Sequence, residues 1–391
     1  MTASLRELLA RGERTEAEQQ ARKRLSQAPQ DVEALATLAS LQLERGSFSM
    51  ARSTLAQAAP ADRSRWELRW VAAMLDVSES PPDAAQTLLA RLWREHPDKA
   101  EVGYAWGTFL ANQGLPDRAR EPLTRAVTLA PDHGLYHFAL ATVLLELGEP
   151  AVATRHLQDT VRLLPSHTAA YAALARLLLL EDKAGEARRL LEAARPVVDQ
   201  PALLEGLLGS LRVGEGALAE GLALLERALN VFPDHAGFNA DKARALAALD
   251  RTAELLAFCD GLERTGRGST PTRLVWAAAL ERTRPAEALT LYGRVMEQDP
   301  SDWMAANNAG LLALHGSDAE AAPREARPLF ELAFVRSDGR VEPALNLART
   351  LALLGEKDKA LHLAQQVVAA APEGPLRDEA RRVIRLLGQA S

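Results

Sequence analysis

The chain has 391 residues, 25% of them charged, a formal net charge of -6 and a single cysteine, Cys259. A mildly acidic protein offers no general attraction to phosphate backbones, so nucleic acid is disfavoured as a partner, and one cysteine excludes an internal disulfide and cannot alone build a metal site. The start, Met1 to Arg14, is amphipathic and charged with no continuous apolar stretch, which predicts no membrane insertion and a cytoplasmic location; arginine in excess of lysine, with abundant alanine and leucine, fits a GC-rich bacterial source.

From Met1 to Pro29 a thin apolar stripe of Leu5, Leu8 and Leu9 precedes a charged helix carrying Glu16, Glu18, Arg22, Lys23 and Arg24. A second helical pair runs from Val32 to Pro60, and a third opens with Trp66, Leu68, Trp70, Val71 and Met74 and closes at Pro97. Two segments between Ala100 and His167 then superimpose at a spacing of 34: Leu110 on Leu144, Gly114 on Gly148, Pro116 on Pro150, Ala119 on Ala153, Leu123 on Leu157, Val127 on Val161 and Pro131 on Pro165. Each unit contains two apolar stripes at helical spacing, separated by a glycine that can end one helix and a proline that fits the first turn of the next. Small residues such as Gly107 and Ala119 stand where the paired helices cross closely. A single pair cannot bury its apolar surface, so neighbours must stack into an array.

Tyr171, Leu174, Leu178, Ala187 and Leu191 continue the array, which then loosens at Arg195 to Pro201, at Arg264 to Thr272, and at Ser317 to Pro328, where roughly four residues exceed the period. These stretches read as surface turns between degenerate repeats, with hinges or docking loops as the alternative. The last helix places Leu376, Ala380, Val383, Ile384 and Leu387 on one face and Arg377, Arg381 and Arg385 on another, as a capping helix with a solvated basic face would.

These marks resemble the tetratricopeptide repeat family, a 34-residue helix-turn-helix unit with small residues and a proline at fixed offsets. They appear as Gly12, Ala17, Ala21 and Pro29, as Gly46, Phe48, Ala51, Leu55 and Ala58, and later as Gly209, Gly216, Ala228 and Pro233, as Ala288, Tyr292 and Pro300, as Gly310, Ala326, Phe330 and Ala333, and as Gly355, Ala360 and Pro372. The resemblance implies an all-α right-handed superhelical solenoid of roughly eleven units whose first helices line a concave groove for peptides or protein surfaces. The expected division is a solenoid over 1–375, most regular at 100–167, degenerate at 195–272 and interrupted by the insertion at 317–328, followed by a capping helix and tail over 376–391.

Following the inward face at a spacing of 34 gives an aromatic column of Trp70, Tyr104 and Phe138, with Val71, Ala105 and Ala139 beside it and Met74, Thr108 and Thr142 one turn on. Rigid rings suit the apolar or aromatic side chains of a peptide, although rings at helical spacing also serve interhelix cores. Toward the other end the same face carries Asp241 and Arg244, then Asn307 and Asn308, then Asn346 and Arg349. In several family members, asparagines at this place hold a bound peptide's backbone, which an amide's paired donor and acceptor suits, and the arginines could add a carboxylate contact. The lysine and asparagine set of the family's carboxylate-clamp members is not reproduced.

His133, His167 and His235 each follow Pro-Asp or Pro-Ser at one point of the repeat, where a residue that opens the next helix is enough. Lying in separate units, they are too far apart to share an ion, so no metal site is expected. There is no GxxxxGK[ST] loop, GxSxG elbow or HExxH helix, and the carboxylates are interleaved with arginines as on solvated helix faces. The chain therefore reads as a non-catalytic, cofactor-free scaffold that binds a peptide or protein partner. A structural accessory or regulatory subunit of an enzyme or of an envelope or glycan assembly complex is the alternative, with RNA binding through a helical-repeat groove behind both.

Overall fold

The computed structural model describes residues 4–315 and 321–389, among which the chain forms 23 helices and no strand. It divides into two compact units, Met1–Leu204 and Glu205–Ser391.

The first unit stacks helical hairpins: α1 (Leu5–Ala10) with α2 (Arg14–Gln27), α3 (Val32–Glu44) with α4 (Phe48–Ala56), α5 (Trp66–Glu79) with α6 (Pro82–Glu95), α7 (Ala100–Asn112) with α8 (Pro116–Leu129), α9 (Gly134–Glu146) with α10 (Pro150–Leu163), and α11 (Thr168–Leu180) with α12 (Ala184–Ala194). Local chemistry sets these boundaries. Ser4 and Glu7 form a reciprocal capping box on α1, Asp31 accepts the Ala34 amide at 3.0 Å to cap α3, and Pro82, Pro116 and Pro150 open their helices where no amide donor is needed. Gly114, with φ of 70°, makes the left-handed turn between α7 and α8. Two repeats further toward the C-terminus Asp182 does the same work at φ of 58°, an aspartate being among the few residues that tolerate that region. At the α7–α8 crossing a Cβ on Gly107 would stand 2.5 Å from Leu123 Cγ, so only glycine lets these helices touch. The core there joins Leu89, Trp106, Leu110, Leu123, Leu140, Leu144 and Leu157. The stretch lacking a terminating proline is stitched down: the Asp199 amide donates to Ser166 O at 2.9 Å and the Gln200 amide to Thr168 Oγ1 at 3.0 Å.

α13 (Pro201–Gly214) crosses the boundary between the units. The second unit continues with α14 (Leu218–Val231), α15 (Ala236–Ala248), α16 (Thr252–Arg264), α17 (Thr270–Leu280), α18 (Pro285–Gln298), α19 (Trp303–Leu314), α20 (Ala322–Arg336), α21 (Val341–Leu353), α22 (Lys357–Ala370) and α23 (Pro375–Gln389). Its main core gathers Leu246, Leu255, Cys259, Trp276, Leu280, Tyr292 and Val295. Burial raises the Cys259 thiol to about 12, so at neutral pH it is a small apolar side chain, as a core cysteine should be. The Arg264 to Thr272 stretch is anchored by the buried Arg273, which donates to both Glu263 oxygens at 2.6 and 3.1 Å and also to Gln298. Of the insertion at 317–328, residues 317–320 lie outside the described residues and 322–328 belong to α20. The last helix, α23, packs Leu376, Ala380, Val383, Ile384 and Leu387 against a cluster that includes Ala344, Leu345, Ala348 and Val367. On its other side Arg377 and Arg381 pair with Glu373, and Arg382 with Glu379. Among the described residues no helix is long and apolar enough to cross a membrane.

Candidate functional site

In the first unit α3 packs on α5 and α7 on α9, which brings the first helices of successive hairpins into one layer. This layer bears a cleft. Trp70, Met74, Tyr104 and Thr108 line a cavity of about 500 Å³ together with Leu9, Leu43, Val77, Phe109 and Tyr136. A second cavity of about 290 Å³ shares Leu9, Ser40, Trp70, Glu101, His133 and Tyr136 with it and adds Trp66 and Glu67. The rings form two contacting groups: Trp66 and Trp70 have centroids 6.0 Å apart, and Tyr136 lies 4.8 Å from Tyr104 and 3.8 Å from His133.

The charges in the cleft are engaged within the chain. Trp66 Nε1 donates to Glu101 Oε1 at 2.5 Å, while Lys99 Nζ sits 5.5 Å from the Trp66 ring centroid. From the N-terminal hairpin, Arg6 reaches Glu67 at 2.8 Å and Arg14 reaches Glu44 at 2.8 Å. The turn of that hairpin lies against the end of α10, where a Cβ on Gly12 would stand 3.5 Å from Leu164 Cδ2. Burial pushes His133 down to about 4 and raises both Tyr104 and Tyr136, with Glu44 and Glu101 respectively adding to the upward shift. At neutral pH the rings are therefore uncharged, and the cleft is a hydrophobic surface edged by paired ions.

The remaining candidates fall elsewhere. Phe138 packs on His167 with centroids 4.4 Å apart and is not among the residues lining the two cavities. Thr142 is exposed and donates to Phe138 O at 3.0 Å, as Thr108 donates to Tyr104 O at 2.8 Å. In the second unit Asp241 is buried and accepts from Arg244. Asn346 Nδ2 donates to Asn307 Oδ1 at 2.9 Å, and Asn308 contacts the hydroxyl of buried Tyr292. The asparagines thus spend part of their amide capacity on one another and on the core, whereas Arg349 is exposed.

Sequence reasoning did not find Trp66, Glu101, His133 or Tyr136 in the cleft. Tyr136 aligns at a spacing of 34 with Val102 and Ala170, so periodicity hides it. Of the three repeat-opening histidines, His167 and His235 accept the amides of Ala170 and Phe238 at 3.3 and 3.2 Å. His133 opens α9 from the same place but makes no such bond.

A family model for the tetratricopeptide repeat matches residues 138–200 and 278–326. The chain carries tetratricopeptide repeats. The matched stretches take in α10 and α11 in the first unit and α18 and α19 in the second, and the 34-residue spacing extends the same unit to Ala100. No curated protein matches the sequence. Solved structures do: a chain of the APC/C hetero-tetramer Cut9-Hcn1 at 15% identity and a TM-score of 0.49, covering 86% of this chain and 59% of that chain. Yeast Tom70 is similar at 14% identity and 0.49, covering 98% and 86%. A tetratricopeptide repeat protein from Parabacteroides merdae follows at 15% and 0.48, covering 65% and 98%. The chain therefore spans less than two thirds of the Cut9-Hcn1 chain it matches.

Proposed function

We propose that this chain is a non-catalytic interaction scaffold that holds a peptide segment of a protein partner in the cleft of its first unit. The observation that carries this is a pair of ring contacts, Trp66 with Trp70 and Tyr104 with Tyr136, whose members line two adjoining cavities. Rigid aromatic rings bury large areas on binding at little entropic cost, and Met74 beside them adapts to irregular shapes. Because Glu44, Glu67 and Glu101 already have partners, the cleft favours a large apolar or aromatic side chain over a strongly charged one. The same carboxylates make the surface unsuited to RNA, which needs a basic groove. The arginine and asparagine positions of the second unit form a weaker candidate, since Asp241, Asn307 and Asn346 are already bonded within the chain.

A photo-crosslinking side chain at Met74 tests the cleft in the source cell. The expected result is a discrete adduct with one partner that disappears in the double variant Tyr104→Ala, Tyr136→Ala once its fold has been verified by circular dichroism. Adducts formed only from exposed Leu129 on the second-helix layer would instead favour an accessory subunit contacted on its outer surface.

A further inference from the structure

We propose that His137, His156 and Asp159 form a binding site for a divalent transition metal ion, best suited to zinc. The three residues come from the two helices of one hairpin, His137 from α9 and His156 and Asp159 from α10. A separation of three places His156 and Asp159 on the same face of α10, opposite His137. One possible ligand atom from each residue lies within 4.8 Å of the other two. His137 Nδ1 is 3.0 Å from His156 Nδ1 and 3.7 Å from Asp159 Oδ2. Ligands about 2.1 Å from a tetrahedral ion lie roughly 3.4 Å from one another, so small side-chain rotations bring all three to bonding distance.

The outer contacts argue that this arrangement is more than packing. His137 is buried, and its Nε2 lies 2.9 Å from Pro131 O, which can only accept. Nε2 therefore carries the proton, and the Nδ1 lone pair points toward His156 and Asp159. Asp159 is held through Oδ1 by Arg162 at 2.8 Å, which leaves Oδ2 facing the imidazoles. A backbone carbonyl behind one ligand and a fixed hydrogen bond behind another are the supports that metal sites use to orient their donors. Without an ion, His156 must donate Nδ1–H to His137. Binding moves that proton to Nε2 of His156, so no net proton is released and the Nδ1 lone pair becomes a donor. His156 and Asp159 are half-buried, which gives an ion a path from solvent. Two imidazoles and one carboxylate suit zinc over magnesium or calcium, and three protein ligands leave a fourth position to water.

The full chain, stripped of metal with a chelator, is titrated with cobalt(II) while its ligand-field absorption is followed, and the cobalt is then displaced with zinc. One equivalent of tightly held, zinc-displaceable cobalt is expected. The signal should vanish in His156→Ala and binding should weaken by about tenfold or more in Asp159→Asn, while His362→Gln, whose imidazole pairs with Gln366, should bind as the parent does. Metal-free melts show whether each variant is folded, and Asp159→Asn serves if His156→Ala is not. No saturable cobalt spectrum in the parent chain, or one undiminished in both folded variants, would overturn the proposal.

Discussion

The imidazole of His133 lies flat on the phenol of Tyr136, with ring centroids 3.8 Å apart and planes within 9°. The second unit repeats the device with His235 on Phe238 at 3.6 Å and 18°. In each case the histidine precedes the helix and the aromatic ring stands at its third position, but His133 is half-buried whereas His235 is exposed. There is a second difference. His235 Nδ1 accepts the Phe238 amide, whereas His133 Nδ1 is buried with no hydrogen-bond partner.

The burial of His133 sets an acid response. Burial lowers His133 to about 4, and burial also lowers His156 and His167. A histidine whose folded pKa is depressed takes up its proton more readily unfolded, so its full stability is present above about pH 6.5 and is lost as pH falls toward 4. His133 alone should account for roughly 2 kcal/mol after allowance for its partial exposure. Urea midpoints measured between about pH 7.5 and 4.5 should fall steadily, and His133→Asn, which keeps a helix-opening residue, should flatten the slope. Asp31 and Glu18 are lowered carboxylates whose stabilisation is lost only at more acid pH, so they leave this window clear.

Gly107→Ala and Gly206→Ala should both destabilise, although alanine is the better helix former. At Gly107 the new methyl meets Leu123 Cγ at 2.5 Å, and at Gly206 it meets the buried Phe238 ring at 2.2 Å. A gain of about 1 kcal/mol in helix propensity is set against overpacking of roughly 1 to 3 kcal/mol. Gly206→Ala should be the worse, because a fixed ring has less freedom than a leucine. Differential scanning calorimetry ranks the two.

Arg273→Lys should loosen the Gly266 to Ser269 turn. Arg273 holds Glu263 through two parallel bonds and reaches Gln298 with a third group. A lysine keeps the charge but cannot reproduce the fork, at a cost of roughly 1 to 3 kcal/mol for a pair this well buried. Limited proteolysis should find a new cut between Gly266 and Ser269, with Arg273→Ala cut faster still.

Ending the chain at Pro375 should expose the faces of α21 and α22 that α23 covers. Ala380 and Val383 are buried there, and a fully buried valine or leucine contributes about 1.5 to 3 kcal/mol. In a stacked array the loss is local before it is global. Hydrogen exchange should show faster amides in Val341–Leu353 and Lys357–Ala370, with those of α7 to α10 unchanged.

Much of the fold was legible because its punctuation is chemical. The coincidences from Leu110 and Leu144 to Pro131 and Pro165 mark hairpins that the structure contains, and Gly107 stands at the close crossing its size implies. The repeat faded where a different residue met the same need: Asp182 and Asp250 take the left-handed turn at φ of 58° and 56° in place of glycine. The site was harder to read. Periodicity led to Tyr104, but Trp66 sits one turn before the expected column and Tyr136 packs on Tyr104 from the next hairpin. Contacts between separate helices, such as Asn307 with Asn346 and His137 with His156, depend on how the helices pack and leave no mark in spacing.

The contact between Gly12 and Leu164 spans the three hairpins from α3 to α8. An open array can gain or lose a unit anywhere at little cost, because each unit feels only its neighbours. Here, inserting or deleting one 34-residue unit between α2 and α10 would carry Leu164 away from the first turn and pull Leu9 and Arg14 out of the cleft they line. The first unit is thus fixed in repeat number as a ring is, and its lineage should tolerate repeat duplication after α12 far more readily than before α10.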